Sequence, residues 1–304
     1  MNDFLKQDDM PAGVQLLILF TFIAVSLILL GGLTVGLLAA FGLDTSVMDG
    51  GTDAFMDNIL PIKMIQLVSS FVMFAFPAVA FALMKPEKLA FLKLNKGINI
   101  QSVVLAGLCM LLSYPLIAIL VQMNHNIPFP ESLAWFEEAL QLQEAETAQV
   151  MKKFLTMDSI GALLFNVVLI ALTPAICEEL LFRGAIQPTL GKLVGNPHVA
   201  IVLTGALFSL IHFQFYGFFA RWVLGIILGY IFYWSKNLWY PIIAHFLNNG
   251  VQVVLVYFGA IDATEAEAMP EGIGITVILA AIFATAILGF VLKLYKKSVE
   301  SDLT

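Results

Sequence analysis

Ile176-Cys177-Glu178-Glu179-Leu180-Leu181-Phe182-Arg183-Gly184 sets two carboxylates and a guanidinium into a chain that is almost free of charge for long distances around them. The residues before it, 159–177, form an apolar run long enough to suggest a membrane helix. How this cluster is read therefore decides the kind of protein. A carboxylate near a bilayer is costly unless it is paired or faces water, so an ionisable cluster at that depth marks a functional site. Arg183 follows Glu179 by four residues, on the same helical face, and Glu178 by five, well around the helix. The spacing predicts an ion pair between Glu179 and Arg183 and leaves Glu178 free for chemistry.

The rest of the chain supports a membrane setting. It has 304 residues, 60% hydrophobic and 12% charged, where soluble domains carry about 25% charged residues. A span needs roughly 20 apolar residues, and nearly uncharged runs occupy 14–43, 59–84, 98–123, 159–177, 193–220, 222–235, 237–261 and 272–292. The expected fold is all-α, a polytopic membrane protein of about eight transmembrane helices. The first run, 30 residues long without a strongly basic segment before it, reads as a span and not as a cleavable signal.

Charge sets the expected orientation. With a cytoplasmic amino terminus, the inner segments hold Lys6, Lys85, Lys88, Lys93, Lys96, Arg183, Lys192, Lys236, Lys293, Lys296 and Lys297, which is 11 of the 15 basic residues. The outer segments hold Asp44, Asp49, Asp53, Asp57, the acidic stretch 131–158, Asp262, Glu265, Glu267 and Glu271, with Lys63, Lys152, Lys153 and Arg221 there or at the edge. The inverse register violates the positive-inside rule. Both termini are therefore expected in the cytoplasm, and the protein in a bacterial inner (plasma) membrane. The net charge of −7 lies in the outer loops and forms no basic stripe, so nucleic acid is not an expected partner. Cys109 and Cys177 both fall inside apolar runs, which suggests small buried residues and no disulfide framework.

No linker or internal repeat divides the chain. The expected organisation is one integrated membrane domain: amino-terminal helices over 1–158 with an acidic amphipathic outer loop at 131–155, a catalytic helical core over 159–261, and a last helix with a cytoplasmic tail over 262–304. In the outer loop Leu133, Phe136 and Leu140 recur at helical spacing beside acidic residues. An interfacial amphipathic helix is expected there, either a lid over a membrane cavity or a loop resting on the headgroups.

Further polar groups follow the acidic cluster. Phe208 and His212 stand one helical turn apart, as do His245 and Asn249. A lone histidine in a span is commonly a hydrogen-bonded packing residue. Two of them, with Glu178 and Asn249, point further. The ordered set Glu178-Glu179-x-x-x-Arg183, Phe208-x-x-x-His212 and His245-x-x-x-Asn249 resembles the CAAX prenyl protease and bacteriocin-processing (CPBP, ABI) family of intramembrane proteases. The resemblance covers about 159–254.

The resemblance implies a peptide hydrolase acting on a membrane-associated protein or peptide. Glu178 would be the general base that activates water, His212 would help hold that water, and His245 with Asn249 would stabilise the oxyanion. Glu179, Arg183 and Phe208 would be structural or orienting residues. Eukaryotic relatives act on prenylated CAAX proteins, and bacterial relatives are linked to peptide maturation, bacteriocin self-immunity or surface-protein anchoring. Members have been described both as metalloproteases and as glutamate-dependent enzymes. Glu178, His212, His245 and Asn249 are nitrogen and oxygen donors that suit Zn2+, and they could equally hold a water with no metal.

Peptide hydrolysis needs these residue types on its own account. A carboxylate must take a proton from water, and donors such as imidazole N–H and carboxamide NH2 must meet the charge that develops on the carbonyl oxygen. Pro174 cannot donate to the carbonyl of Ile170, so the helix can kink there and aim Glu178 into a cavity. Other protease chemistries fit less well. The zinc signature His-Glu-x-x-His and an aspartyl dyad in the spans are absent, and a Ser209–His212 dyad would leave the glutamates unused. The rival of another class is a proton-coupled transporter or a non-catalytic membrane scaffold or immunity protein, but the repeat symmetry and paired broken helices that would favour transport are not seen. The site is expected in the cytoplasmic half or near the midplane, open to the cytoplasm. His212 can reach it only if the fifth helix starts later than 193 or tilts.

Overall fold

A computed structural model describes residues 10–43, 59–261 and 274–301. Lys6 and the outer acidic residues Asp44, Asp49, Asp53, Asp57, Asp262, Glu265, Glu267 and Glu271, on which part of the charge partition rests, lie outside these residues. The described chain is helical, with no strands among the described residues. Among the described residues nine helices follow in order, besides two short turns of 3-10 helix: α1 Ala12–Ala40, α2 Ile59–Leu83, α3 Ile100–His125, α4 Ala134–Phe154, α5 Ile160–Val194, α6 Pro197–Leu210, α7 Phe218–Ser235, α8 Trp239–Tyr257 and α9 Ile275–Ser301.

The protein is an integral membrane protein. Of the described helices, α1, α2, α3, α5, α7 and α9 are long and apolar enough to cross a membrane. The expected eight is thus approximate. The apolar helix α6 has only 14 residues, and α8, with 19, carries His245, Asn248, Asn249 and Gln252. Those polar residues are tolerable because α8 packs against α3, α5 and α7. The amphipathic stretch forms α4, with Trp135 and Leu142 exposed on it.

The fourth span departs from the expected 159–177: it continues to Val194, 35 residues in all. A charged cluster in an apolar run reads as a helix end, but Glu179 and Arg183 pair with each other and lie fully buried inside the helix. The next boundary is written as Gly195-Asn196-Pro197. Gly195 takes a φ of +65° and closes α5, Asn196 accepts from the N–H groups of His198 and Val199, and Pro197 occupies the first turn of α6. The fifth helix therefore starts at 197 and not at 193.

Prolines also shape the spans from within. Among the described residues three segments are wound as π-helix: Phe71–Ala75, Val167–Leu172 and Leu180–Ile186. Each ends two residues before a proline, Pro77, Pro174 and Pro188. A proline has no N–H for the carbonyl four residues back, and its ring crowds that carbonyl. Widening the preceding turn relieves the crowding. In α5 two of these turns flank the short α-helical piece Thr173–Glu179, which places the acidic pair on the stretch whose facing they set.

Candidate active site

Glu179 is the hub of the buried polar cluster. Its Oε1 accepts from Arg183 Nη1 at 2.6 Å and from His245 Nδ1 at 2.9 Å. The ion pair anticipated from the four-residue spacing is formed. Arg183 also donates through Nη2 to the carbonyl of Gly225 at 2.9 Å. That reach depends on a tight crossing of α6 and α7, where a Cβ on Gly225 would stand 2.9 Å from the Cα of Gly205. The guanidinium lies 4.8 Å over the ring of Phe208. Phe208 in turn meets Phe182, His212 and His245 edge-on, at centroid distances of 5.3, 5.2 and 5.9 Å.

Glu178 stands apart from this network. Among the described residues it makes no hydrogen bond; its Oε2 is 4.0 Å from Nε2 of His245, and its side chain retains 11% exposure. The neighbouring carboxylate is thus engaged through Oε1, while neither side-chain oxygen of Glu178 accepts a hydrogen bond among the described residues.

Both imidazoles have their tautomers set by acceptors. The carbonyl of Phe208 lies 2.8 Å from Nδ1 of His212, and a carbonyl only accepts, so that nitrogen carries the proton. Nδ1 of His245 donates to the Glu179 carboxylate in the same way. In each ring Nε2 is the nitrogen left for other partners. The donor chemistry resembles that of metal-ligating histidines held by a carbonyl or carboxylate. Even so, no group of three His, Cys, Asp or Glu side chains among the described residues is arranged to hold a metal ion. Of the four anticipated ligands, Glu178 Oε2 and His245 Nε2 lie 4.0 Å apart.

Asn249 has a second task. Its Nδ2 donates to the carbonyl of Ile170 at 3.3 Å, and its Oδ1 accepts from Asn248 at 3.0 Å. One of its two amide protons is thereby used within the fold. His212 joins the cluster through Phe208; no hydrogen bond or ion pair links it to Glu178 among the described residues. Ser209 donates to the carbonyl of Phe218 at 2.7 Å and ties α6 to α7, so its hydroxyl is not engaged with His212. Cys177 is buried with no exposed surface, in keeping with a packing residue.

The residues that hold His212 in place were not evident in the sequence. His212 lies in the connection 211–217, just past the end of α6. Gln143 and Glu144 of α4 bond to that connection, and Asn124, near the carboxyl end of α3, accepts from Phe219 N–H at 3.1 Å. These contacts join residues 70 to 95 positions apart, and nothing in their spacing signals them. On the orientation taken from the basic residues, this end of the molecule is the outer one, away from the expected cytoplasmic opening.

Residues 160–251, which include all three motifs, match the family model described as Type II CAAX prenyl endopeptidase Rce1-like. This bears out the resemblance carried by those motifs. The uncharacterized protein YpbD of Bacillus subtilis (strain 168) is 27% identical over 133 residues, covering 41% of this chain and 60% of that protein. The matched stretch therefore spans less than two thirds of that relative. No solved structure matches the chain.

Proposed function

We propose, on the premise that residues 160–251 are Rce1-like, that this intramembrane protease uses Glu178 to activate the water that cleaves a peptide bond. One observation carries this reading. Glu179 takes both Arg183 and His245, while Glu178, next to it, makes no hydrogen bond among the described residues and faces Nε2 of His245 at 4.0 Å. A base must present a lone pair where water can reach it, and of the two side chains that of Glu178 retains 11% exposure while that of Glu179 retains none.

In the mechanism, water attacks the carbonyl carbon as Glu178 takes its proton, and the oxygen of the carbonyl becomes an oxyanion. Glu178 then returns the proton to the leaving amine, and the C–N bond breaks. His245 can meet the oxyanion only with a proton on Nε2 in addition to the one that Nδ1 shares with Glu179, so the donor is the imidazolium. Asn249 can add its remaining amide proton. His212, with Nδ1 held by Phe208, offers Nε2 as an acceptor to water. Glu179, Arg183 and Phe208 orient these groups. No step is routed through a metal.

The substrate is a protein or peptide associated with the bilayer. We take the protein to reside in a bacterial plasma membrane with both termini in the cytoplasm, a reading supported by the basic-residue partition. The test is digestion of a library of membrane-protein segments by purified protein in heavy-oxygen water. New carboxyl termini should each carry one heavy atom, and Glu178→Gln protein should produce none. Products of equal yield from the Glu178→Gln protein would refute the assignment of the base.

A further inference from the structure

The amphipathic helix α4 lies outside the recognised catalytic region, yet it touches the backbone on either side of His212. Gln143 Nε2 donates to the carbonyl of Phe213 at 2.7 Å, and Glu144 Oε1 accepts from the N–H of Tyr216 at 2.8 Å. The first contact falls on a strained residue. Phe213 has a φ of +52°, in the left-handed region that residues with a Cβ rarely adopt. Its side chain is 76% exposed, so burial of the ring does not hold it there. The support must come from the backbone and its partners.

Other elements complete the cradle. The ring of Phe129, just before α4, meets Phe215 at 5.3 Å and Phe136 of α4 at 6.1 Å. Beneath the connection, Arg221 donates to the carbonyl of Gln214 at 3.0 Å. The far end of α4 is anchored as well. Lys63, buried in α2, donates to the carbonyl of Phe154 and to Asn166 Oδ1, both at 2.9 Å. A cation at the last carbonyls of a helix is favourable. α4 is thus fixed at one end and bonded at mid-length to the segment that carries His212.

We propose that α4 is a strap that sets the position of His212, with Gln143 and Glu144 as positioning residues acting through the backbone of Phe213 and Tyr216. The inference rests on the proteolytic reading for the importance of His212, but its geometry is independent of it. Without the strap, Phe213 relaxes toward an unstrained conformation and carries His212 with it. Displacements of that size in a catalytic group cost about 10- to 100-fold in rate.

Two readouts test this on the full-length protein in detergent, with melting temperature as the check on folding. The first is modification of histidine by diethyl pyrocarbonate, followed peptide by peptide, with exposed His198 as the internal reference. Gln143→Ala/Glu144→Ala protein should label several-fold faster at His212 and unchanged at His198, and Glu144→Gln, which keeps an acceptor, should label like the wild type. The second is peptide cleavage, in which the double variant should lose about 10- to 100-fold in kcat with KM nearly unchanged. Unchanged labelling of His212 in a folded double variant overturns the strap. Absence of cleavage by the wild type, combined with faster labelling in the variant, counts against the proteolytic reading and leaves the strap standing.

Discussion

Asn249 Nδ2 donates to the carbonyl of Ile170 at 3.3 Å, the acceptor that Pro174, four residues further on, has no N–H to satisfy. The proline opens the π turn ahead of the acidic pair, and an amide from another helix caps the group it leaves behind.

This relationship separates a structural role of Asn249 from a catalytic one. Asn249→Ala should destabilise the protein by about 1–3 kcal/mol, the cost of a buried acceptor left without its partner. Adding Pro174→Ala supplies a backbone donor to the same carbonyl and should recover part of that loss. Unfolding of the four variants in detergent measures the coupling, and strictly additive losses would show that the two residues do not share the carbonyl. If Asn249 also meets the oxyanion, cleavage stays depressed in the double variant although stability returns.

Arg183→Ala should cost roughly 3–5 kcal/mol, because it leaves the fully buried Glu179 without its cation and with His245 as its remaining partner. Arg183→Lys should not restore the loss. A lysine ammonium lacks the planar fork that reaches Glu179 Oε1 and the Gly225 carbonyl together. The monodisperse yield after solubilisation is the simplest measurement. A wild-type yield for Arg183→Ala would show that His245 alone suffices to hold Glu179.

The crossing of α6 and α7 leads to a prediction about packing. A Cβ on Gly225 would lie 2.9 Å from the Cα of Gly205, so the helices must separate. Gly225→Ala should lose about 1–3 kcal/mol and move the carbonyl that holds Arg183. Thermal unfolding should show the loss, whereas Gly289→Ala, where nothing lies within 4 Å of the new Cβ, should melt like the wild type.

Orientation can be tested by labelling single cysteines in the loop that includes Lys88–Leu92 with an impermeant reagent. Protection in intact cells, and reaction after permeabilisation, is the expected result. Reaction in intact cells would invert the topology.

Much of the site could be read in the sequence, and the reasons are local. The Glu179–Arg183 pair follows from helical period alone, and Gly195-Asn196-Pro197 marks a helix end, a cap and a helix start in three residues. The prolines at 77, 174 and 188 announce unsatisfied carbonyls, although not that the chain answers them with π turns. The length of α5 was hidden because its buried charges look like a boundary until their partners are known. The bond from His245 to Glu179 joins residues 66 positions apart, and the contacts of Gln143 and Glu144 with the His212 connection span about as far. Pairings of that kind are set by how helices pack, which no local spacing encodes.

If Glu178 is the base proposed above, its carboxylate is indispensable to peptide hydrolysis within the membrane. The most direct measurement is a comparison of membrane peptidomes from cells making the wild-type protein and cells making Glu178→Gln protein at equal level. A set of cleaved termini from membrane-associated proteins should be present with the wild type and absent with the variant. Identical peptidomes, with both proteins folded and in the membrane, would contradict it.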